Sequence, residues 1–166
     1  MSSSTVVAPM RRRGIRHWVS AWLPVAIGCA IIACESTAYF GADHTTGPLR
    51  ALWQWLFGPI GDDLWDLIHH LIRKTGHFAG YGLLGLVWLR AWWMTCPRMR
   101  FVSTAILALL GTALVASSDE IHQTFLPNRT GSAWDVLLDC AGALVLLTAT
   151  WLILRISARK RLARAA

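Results

Sequence analysis

"FVSTAILALLGTALVASSDEIHQTFLPNR" (Phe101–Arg129) holds sixteen almost wholly apolar residues and then, with no linker, two acids, a histidine, a glutamine and an arginine. An apolar run of that length is a membrane-spanning helix candidate, because a bilayer core of about 30 Å is crossed by roughly 20 residues in helical conformation. Working outward, three more stretches approach that length, so the expected spans are about 18–34, 77–94, 101–118 and 134–154. The fold class expected is all-α: a polytopic membrane bundle of four transmembrane helices with an amphipathic helical outer loop over 35–76. A basic N-terminus (1–17) and a basic C-terminal tail (155–166) flank the transmembrane domain (18–154).

Composition agrees. The 166 residues are 55% hydrophobic and only 15% charged, with ten Trp, which departs from a soluble globular chain. The net charge of +7 does not mark a nucleic-acid-binding protein, because the basic residues sit in short clusters beside apolar runs rather than over one face. "RRRGIRH" precedes the first span, "TCPRMR" joins the second and third, and "RISARKRLARAA" follows the fourth. With the N-terminus inside, Arg11, Arg12, Arg13, Arg16, Arg90, Arg98, Arg100, Arg155, Arg159, Lys160, Arg161 and Arg164 fall on the cytoplasmic side, twelve of the sixteen Lys and Arg. The positive-inside rule then places both termini on the cytoplasmic side. Trp18, Trp22, Trp88, Trp92, Trp93 and Trp151 mark the inner boundary, and Trp53, Trp55, Trp65 and Trp134 the outer one.

In the outer loop, "PLRALWQWLFG" and "DDLWDLIHHLIRK" each predict a short amphipathic helix lying on the outer surface over the mouth of the bundle. "IIAC" (Ile31–Cys34) has the form of a lipobox, but processing there would leave three spans and move the N-terminus outside, so the uncut chain is the preferred reading. The four cysteines show no CxxC spacing and read as small apolar filler.

Three helix ends bring polar residues to one depth. In "RKTGHFAGYGLLG", Arg73, His77 and Tyr81 share a face by their i, i+4, i+8 spacing, Lys74 lies beside them, and Gly76/Gly80 with Gly82 and Gly85 suit close helix packing. The third span delivers Asp119, His122 and Gln123 on one face with Glu120 about 100° away, and Pro127 then ends the helix before Arg129. The fourth carries Asp135 and Asp139 on one stripe. Asp139 lies deep enough to need a partner among Arg73, Lys74, His77 and Arg129.

These residues resemble the VanZ-like family of small bacterial membrane proteins. The likeness runs through "RKTGHFAGYGLLGL" and "SSDEIHQTFLPNRTGSAWDVLLDCAG": a His four residues before a Tyr, an Asp-Glu followed by His-Gln, an aromatic, a Pro and an Arg, and an Asp opening the last span. Asp139 stands where the family commonly has Asn, and Asn128 where it commonly has Gly. The resemblance implies a multi-pass membrane protein and a link to glycopeptide (teicoplanin) resistance, while the family's chemistry is poorly defined.

Three functions compete. The first in rank binds or modifies a cell-envelope lipid, a lipid-linked precursor or a glycopeptide through Arg73, Lys74, Tyr81, His122, Gln123, Arg129, Asp135 and Asp139. The second is an enzyme with His77 as acid or base beside Asp119 and Glu120. The third is an ion-pair network that only locks helices. No cofactor is predicted. Asp119, Glu120, His122, Asp135 and Asp139 are of a type that holds a divalent metal, although "DEIH" is neither HExxH nor HxxEH, and no Ser, Thr or Cys stands in an evident nucleophile context.

Overall fold

In the computed structural model, residues 14–37, 39, 42–126 and 130–165 are described. They form five helices: α1 (Ile15–Glu35), α2 (Ala42–Phe57), α3 (Asp62–Thr95), α4 (Phe101–Gln123) and α5 (Ala133–Ala165). No strand occurs among the described residues. Of the four expected spans, three are long and apolar enough to cross a membrane: α1, α4 and α5. α3, at 34 residues, exceeds the length required, but His77 and Arg90 interrupt its apolar stretch and it does not join that set.

α3 is the hub. It packs most extensively on α5, then on α4 and α1, while α1 barely touches α4 and does not touch α5. α4 shows how such packing is encoded. Thr104, Ala108, Thr112, Ala116 and Glu120 recur every four residues and are buried, whereas Val102, Ile106, Leu110 and Leu114 recur on the opposite side and are exposed. Small side chains inside and large apolar ones outside is the arrangement of a helix whose outer face meets lipid. The buried hydroxyls of Thr104 and Thr112 donate to the carbonyls of Arg100 and Ala108 one turn back, which removes the penalty of burying them.

Glycine governs the α3–α5 seam. A Cβ on Gly142 would lie 2.1 Å from the Phe78 carbonyl oxygen, and one on Gly85 would lie 3.0 Å from the Ala143 Cβ. The two backbones therefore approach at these points as closely as atoms allow. Gly82 and Gly85 act as the sequence predicts. Gly76 and Gly80 do not: a Cβ on either would meet nothing within 4 Å, so their face of α3 is uncovered by any helix among the described residues.

At the inner end the bundle is closed by aromatics. Trp22 of α1 meets Trp88 and Trp92 of α3 edge-on, with centroids 5.7 and 5.0 Å apart. Pro24, inside α1, has no N–H for the carbonyl of Ser20 four residues back. Arg90 Nη1 of α3 donates to that carbonyl at 2.8 Å, so the cation that breaks α3's hydropathy repairs the helix beside it. His17 Nε2 lies 2.9 Å from the Met94 carbonyl and ties the same two helices at this level.

Two expectations about local structure are corrected. The segment "DDLWDLIHHLIRK" is not a separate surface helix: α3 runs unbroken from Asp62 through Gly76 to Thr95, because tertiary packing on both sides overrides the weak break at Thr75–Gly76. Trp65 does not sit at a lipid boundary. It is 1% exposed, and its Nε1 donates to Thr46 Oγ1 of α2 at 2.6 Å. The tail after 154 continues α5 as exposed helix to Ala165. α2 does form, carrying Leu52, Trp55, Leu56 and Phe57 exposed. It is held to α3 by Trp65, by Thr45 against His69 (3.1 Å) and by Arg50, which donates to Asp62 and to the Ile60 carbonyl.

Candidate functional site

The middle of α3 and the ends of α4 and α5 away from the Trp-lined level carry the polar residues, and the structure joins them in pairs across helices. Lys74 of α3 pairs with Asp135 of α5. One turn deeper, His77 Nδ1 faces Asp139 Oδ1 at 3.6 Å, an ion-pair separation beyond hydrogen-bond range. One turn deeper again, the Tyr81 hydroxyl donates to Asp119 Oδ2 at 2.9 Å. Lys74, His77 and Tyr81 of α3 thus form a ladder of partners, the first two rungs reaching α5 and the third α4.

The remaining predicted residues complete the rim. Glu120 Oε2 accepts the Ser132 backbone N–H at 2.7 Å, which holds the turn before α5 against the end of α4. Gly131 makes that approach feasible, since a Cβ there would lie 2.2 Å from the Glu120 carbonyl oxygen. His122 Nδ1 and Ser36 Oγ lie 2.8 Å apart and tie α4 to the end of α1. Gln123 is buried, and Arg73 lines, with Glu35 and His77, a wide cavity between α1 and α3. Arg129 is outside the described residues. Asp139 takes His77 from its four proposed partners, and Lys74 chooses Asp135.

Much of this cluster's hydrogen-bonding capacity is unused. Asp139 is fully buried with neither oxygen hydrogen-bonded among the described residues, and the same holds for Asp119 Oδ1, Glu120 Oε1, Gln123 Nε2 and His77 Nδ1. Buried polar atoms are ordinarily satisfied, so the unused capacity at these five residues marks a candidate site, and three of them, His77, Asp119 and Gln123, open on one pocket. A narrow pocket of about 20 Å³ lies there, lined by Ser36, His77, Tyr81, Asp119 and Gln123 among others, with room for a single water-sized group. Among the described residues no set of three or more His, Cys, Asp or Glu is gathered in a way that could hold a metal ion.

Sequence reasoning missed two contributors. Ser36 is 4% exposed and faces His122, and its only signal is its position directly after an apolar run at Glu35–Ser36. Ser132 contributes a backbone group, which no side-chain pattern reveals. His69, above the site, stacks on Trp65 (centroids 5.6 Å apart), and burial together with the charge of Arg73 holds its pKa below the ordinary value.

A helical bundle with three membrane-length apolar helices, lipid-type surfaces and ionisable groups converging at one end defines a small polytopic membrane protein. Its sequence matches the model of the VanZ/LLP1 family over residues 21–155, a range that includes every site residue from Arg73 to Asp139, and the chain belongs to that family. Neither a curated protein nor a solved structure matches it.

Proposed function

We propose that this protein binds the polar head of a cell-envelope lipid or lipid-linked precursor at the outer face of the bacterial inner membrane. In this reading α3 is the fourth span, because it lies alongside α1, α4 and α5 and its length of about 51 Å at 1.5 Å per residue exceeds the roughly 30 Å core. Both termini are cytoplasmic, as the basic residues at the Trp-lined end require. α2 lies on the outer surface with Trp55, Leu56 and Phe57 in the headgroup layer.

The observation that carries the reading is the unused capacity at Asp119, Glu120, Gln123, His77 and Asp139. A network serving only to lock helices would pair these atoms with one another, since each unpaired buried group weighs against folding by about 1–3 kcal/mol. Catalysis on the bound head is the second reading. It is favoured by His77, which lines both the wide and the narrow cavity and has Asp139 behind it, the arrangement of a general acid or base with an orienting carboxylate. The glycopeptide link of the family, on this account, is an effect of the same site on an envelope molecule.

Unbiased lipid and metal analysis of the detergent-purified protein, repeated with Asp119→Asn, tests the proposal. The substitution keeps an acceptor for Tyr81 and changes the unpaired oxygen into a donor. A polar lipid should accompany the wild type and be lost from the variant at similar folded yield. A chain that carries no lipid, with a variant that only unfolds more readily, returns the structural reading.

A further inference from the structure

A cavity of about 600 Å³ runs along the seam between α1 and α3. Its walls are apolar through most of their length, from Leu23 through Ile27 and Ile31 on α1 and from Val87 through Leu83 on α3. At its outer end the lining changes to Glu35, Thr45, Arg73 and His77. The floor there is Gly76 and Gly80, the two glycines with open space where a Cβ would stand. Both also line the narrow polar pocket, so the wide cavity and the narrow one meet across a strip without side chains.

Resting on the site proposed above, we infer that this cavity seats one acyl chain of an outer-leaflet phospholipid with a hydroxyl-bearing head, entering sideways from the bilayer between α1 and α3. Three features select that occupant. The lining from Leu23 to Glu35 rises about 18 Å at 1.5 Å per residue, close to half of a roughly 30 Å hydrocarbon core, which is the depth of one leaflet. Arg73 and Glu35 stand together at the outer end of the lining, the level at which the phosphate of a lipid seated in the cavity would lie. Inside, the pocket has room for one water-sized group and is lined by Asp119 and Gln123, whose atoms without a hydrogen bond are a carboxylate oxygen that only accepts (Oδ1) and an amide nitrogen that only donates (Nε2). A hydroxyl does both, whereas an ammonium group only donates. Phosphatidylglycerol has this combination of one chain of leaflet length at the seam, one phosphate and free hydroxyls.

The glycine strip is what makes lateral access feasible. Any side chain at Gly80 would stand in the passage between the chain cavity and the head pocket, while the backbone there is ordinary helix that accepts other residues.

The full-length protein, reconstituted in vesicles containing a phosphatidylglycerol with a photoactivatable diazirine in one acyl chain, is irradiated and its labelled peptides are mapped. Label should concentrate on the facing segments of α1 and α3 around Ile27, Ile31, Leu83 and Leu84, and fall at least tenfold in Gly80→Leu, with Gly76→Leu as a second variant on the same strip. Asp119→Asn should release the head, seen as loss of co-purified lipid, and serves as the separate reading of the polar site. Label spread evenly over all lipid-facing helices, or unchanged in folded Gly80→Leu and Gly76→Leu, overturns the chain assignment even where Asp119→Asn still loses lipid. Efficient capture of a diazirine-bearing polyprenyl phosphate with no capture of the phospholipid overturns it as well, in favour of a longer-chained carrier.

Discussion

Two faces of one helix carry glycines put to opposite use. On the face of α3 toward α5, Gly82 and Gly85 meet Leu146 and Ala143, and Gly142 of α5 meets the backbone at Phe78. On the face toward α1, Gly76 and Gly80 meet nothing within 4 Å. The same absence of a side chain produces contact on one face and an opening on the other. The difference lies in the neighbour, because α5 brings small residues of its own to the seam whereas Ile27, Ile31 and Ile32 of α1 line an open cavity beside Gly76 and Gly80. A GxxxG spacing therefore signals a close approach only when the opposing helix can also come close.

Substitutions at the two faces should break the comparison in opposite directions. The largest effect is expected at the closed seam: Gly142→Ala places a methyl against the Phe78 carbonyl, which is backbone and cannot swing away. A loss of about 3 kcal/mol, the upper part of the overpacking range, should appear in reversible unfolding in detergent. At the open face, Gly80→Ala should stabilise by up to about 1 kcal/mol, since a mid-helix glycine is replaced without any clash. Destabilisation by Gly80→Ala would mean that α1 or another chain closes on that face. Smaller still is Lys74→Met: with both partners about a third exposed, the Lys74–Asp135 pair contributes roughly 0.5 kcal/mol or less, and the loss should shrink further in high salt.

The smallest effect is local and depends on pH. His69 has its pKa lowered, so the folded state prefers the neutral ring that faces Thr45 and stacks on Trp65. The unfolded chain binds a proton more readily, so stability from this group is complete above the ordinary value of 6.5 and declines as the pH falls below it. Hydrogen exchange of α2 should accelerate relative to α4 on acidification below that point. His69→Gln should remove the difference.

How much of this was legible beforehand depends on the range of the interaction. The shared depth of Asp119 and Glu120 and the need of Asp139 for a partner follow from helical spacing within single segments, together with the rule that a deep carboxylate needs one, while the choice of His77 among four candidates came from the packing of α3 on α5. The continuity of α3 through Gly76 was not legible, because its local signal is a helix breaker and only packing on α5 and α4 keeps it helical. Trp65 misled for a similar reason: a tryptophan near a boundary looks like a membrane anchor until α2 is known to lie over it and offer Thr46 as its partner. The cavity beside Gly76 and Gly80 depends on how α1 leans on α3, and no periodicity in either helix contains that information.

The central claim is that the outer polar cluster serves a ligand at some expense of stability, and Asp139 tests it most directly, being fully buried with neither oxygen hydrogen-bonded among the described residues and His77 facing it at 3.6 Å. Unfolding of Asp139→Asn, measured beside the wild type in the same lipid-free detergent, should show unchanged or increased stability, because a buried carboxylate has been replaced by a neutral amide of the same shape. A loss of about 3 kcal/mol, the amount expected for breaking a buried structural pair, would contradict the account and return these residues to the role of a helix lock.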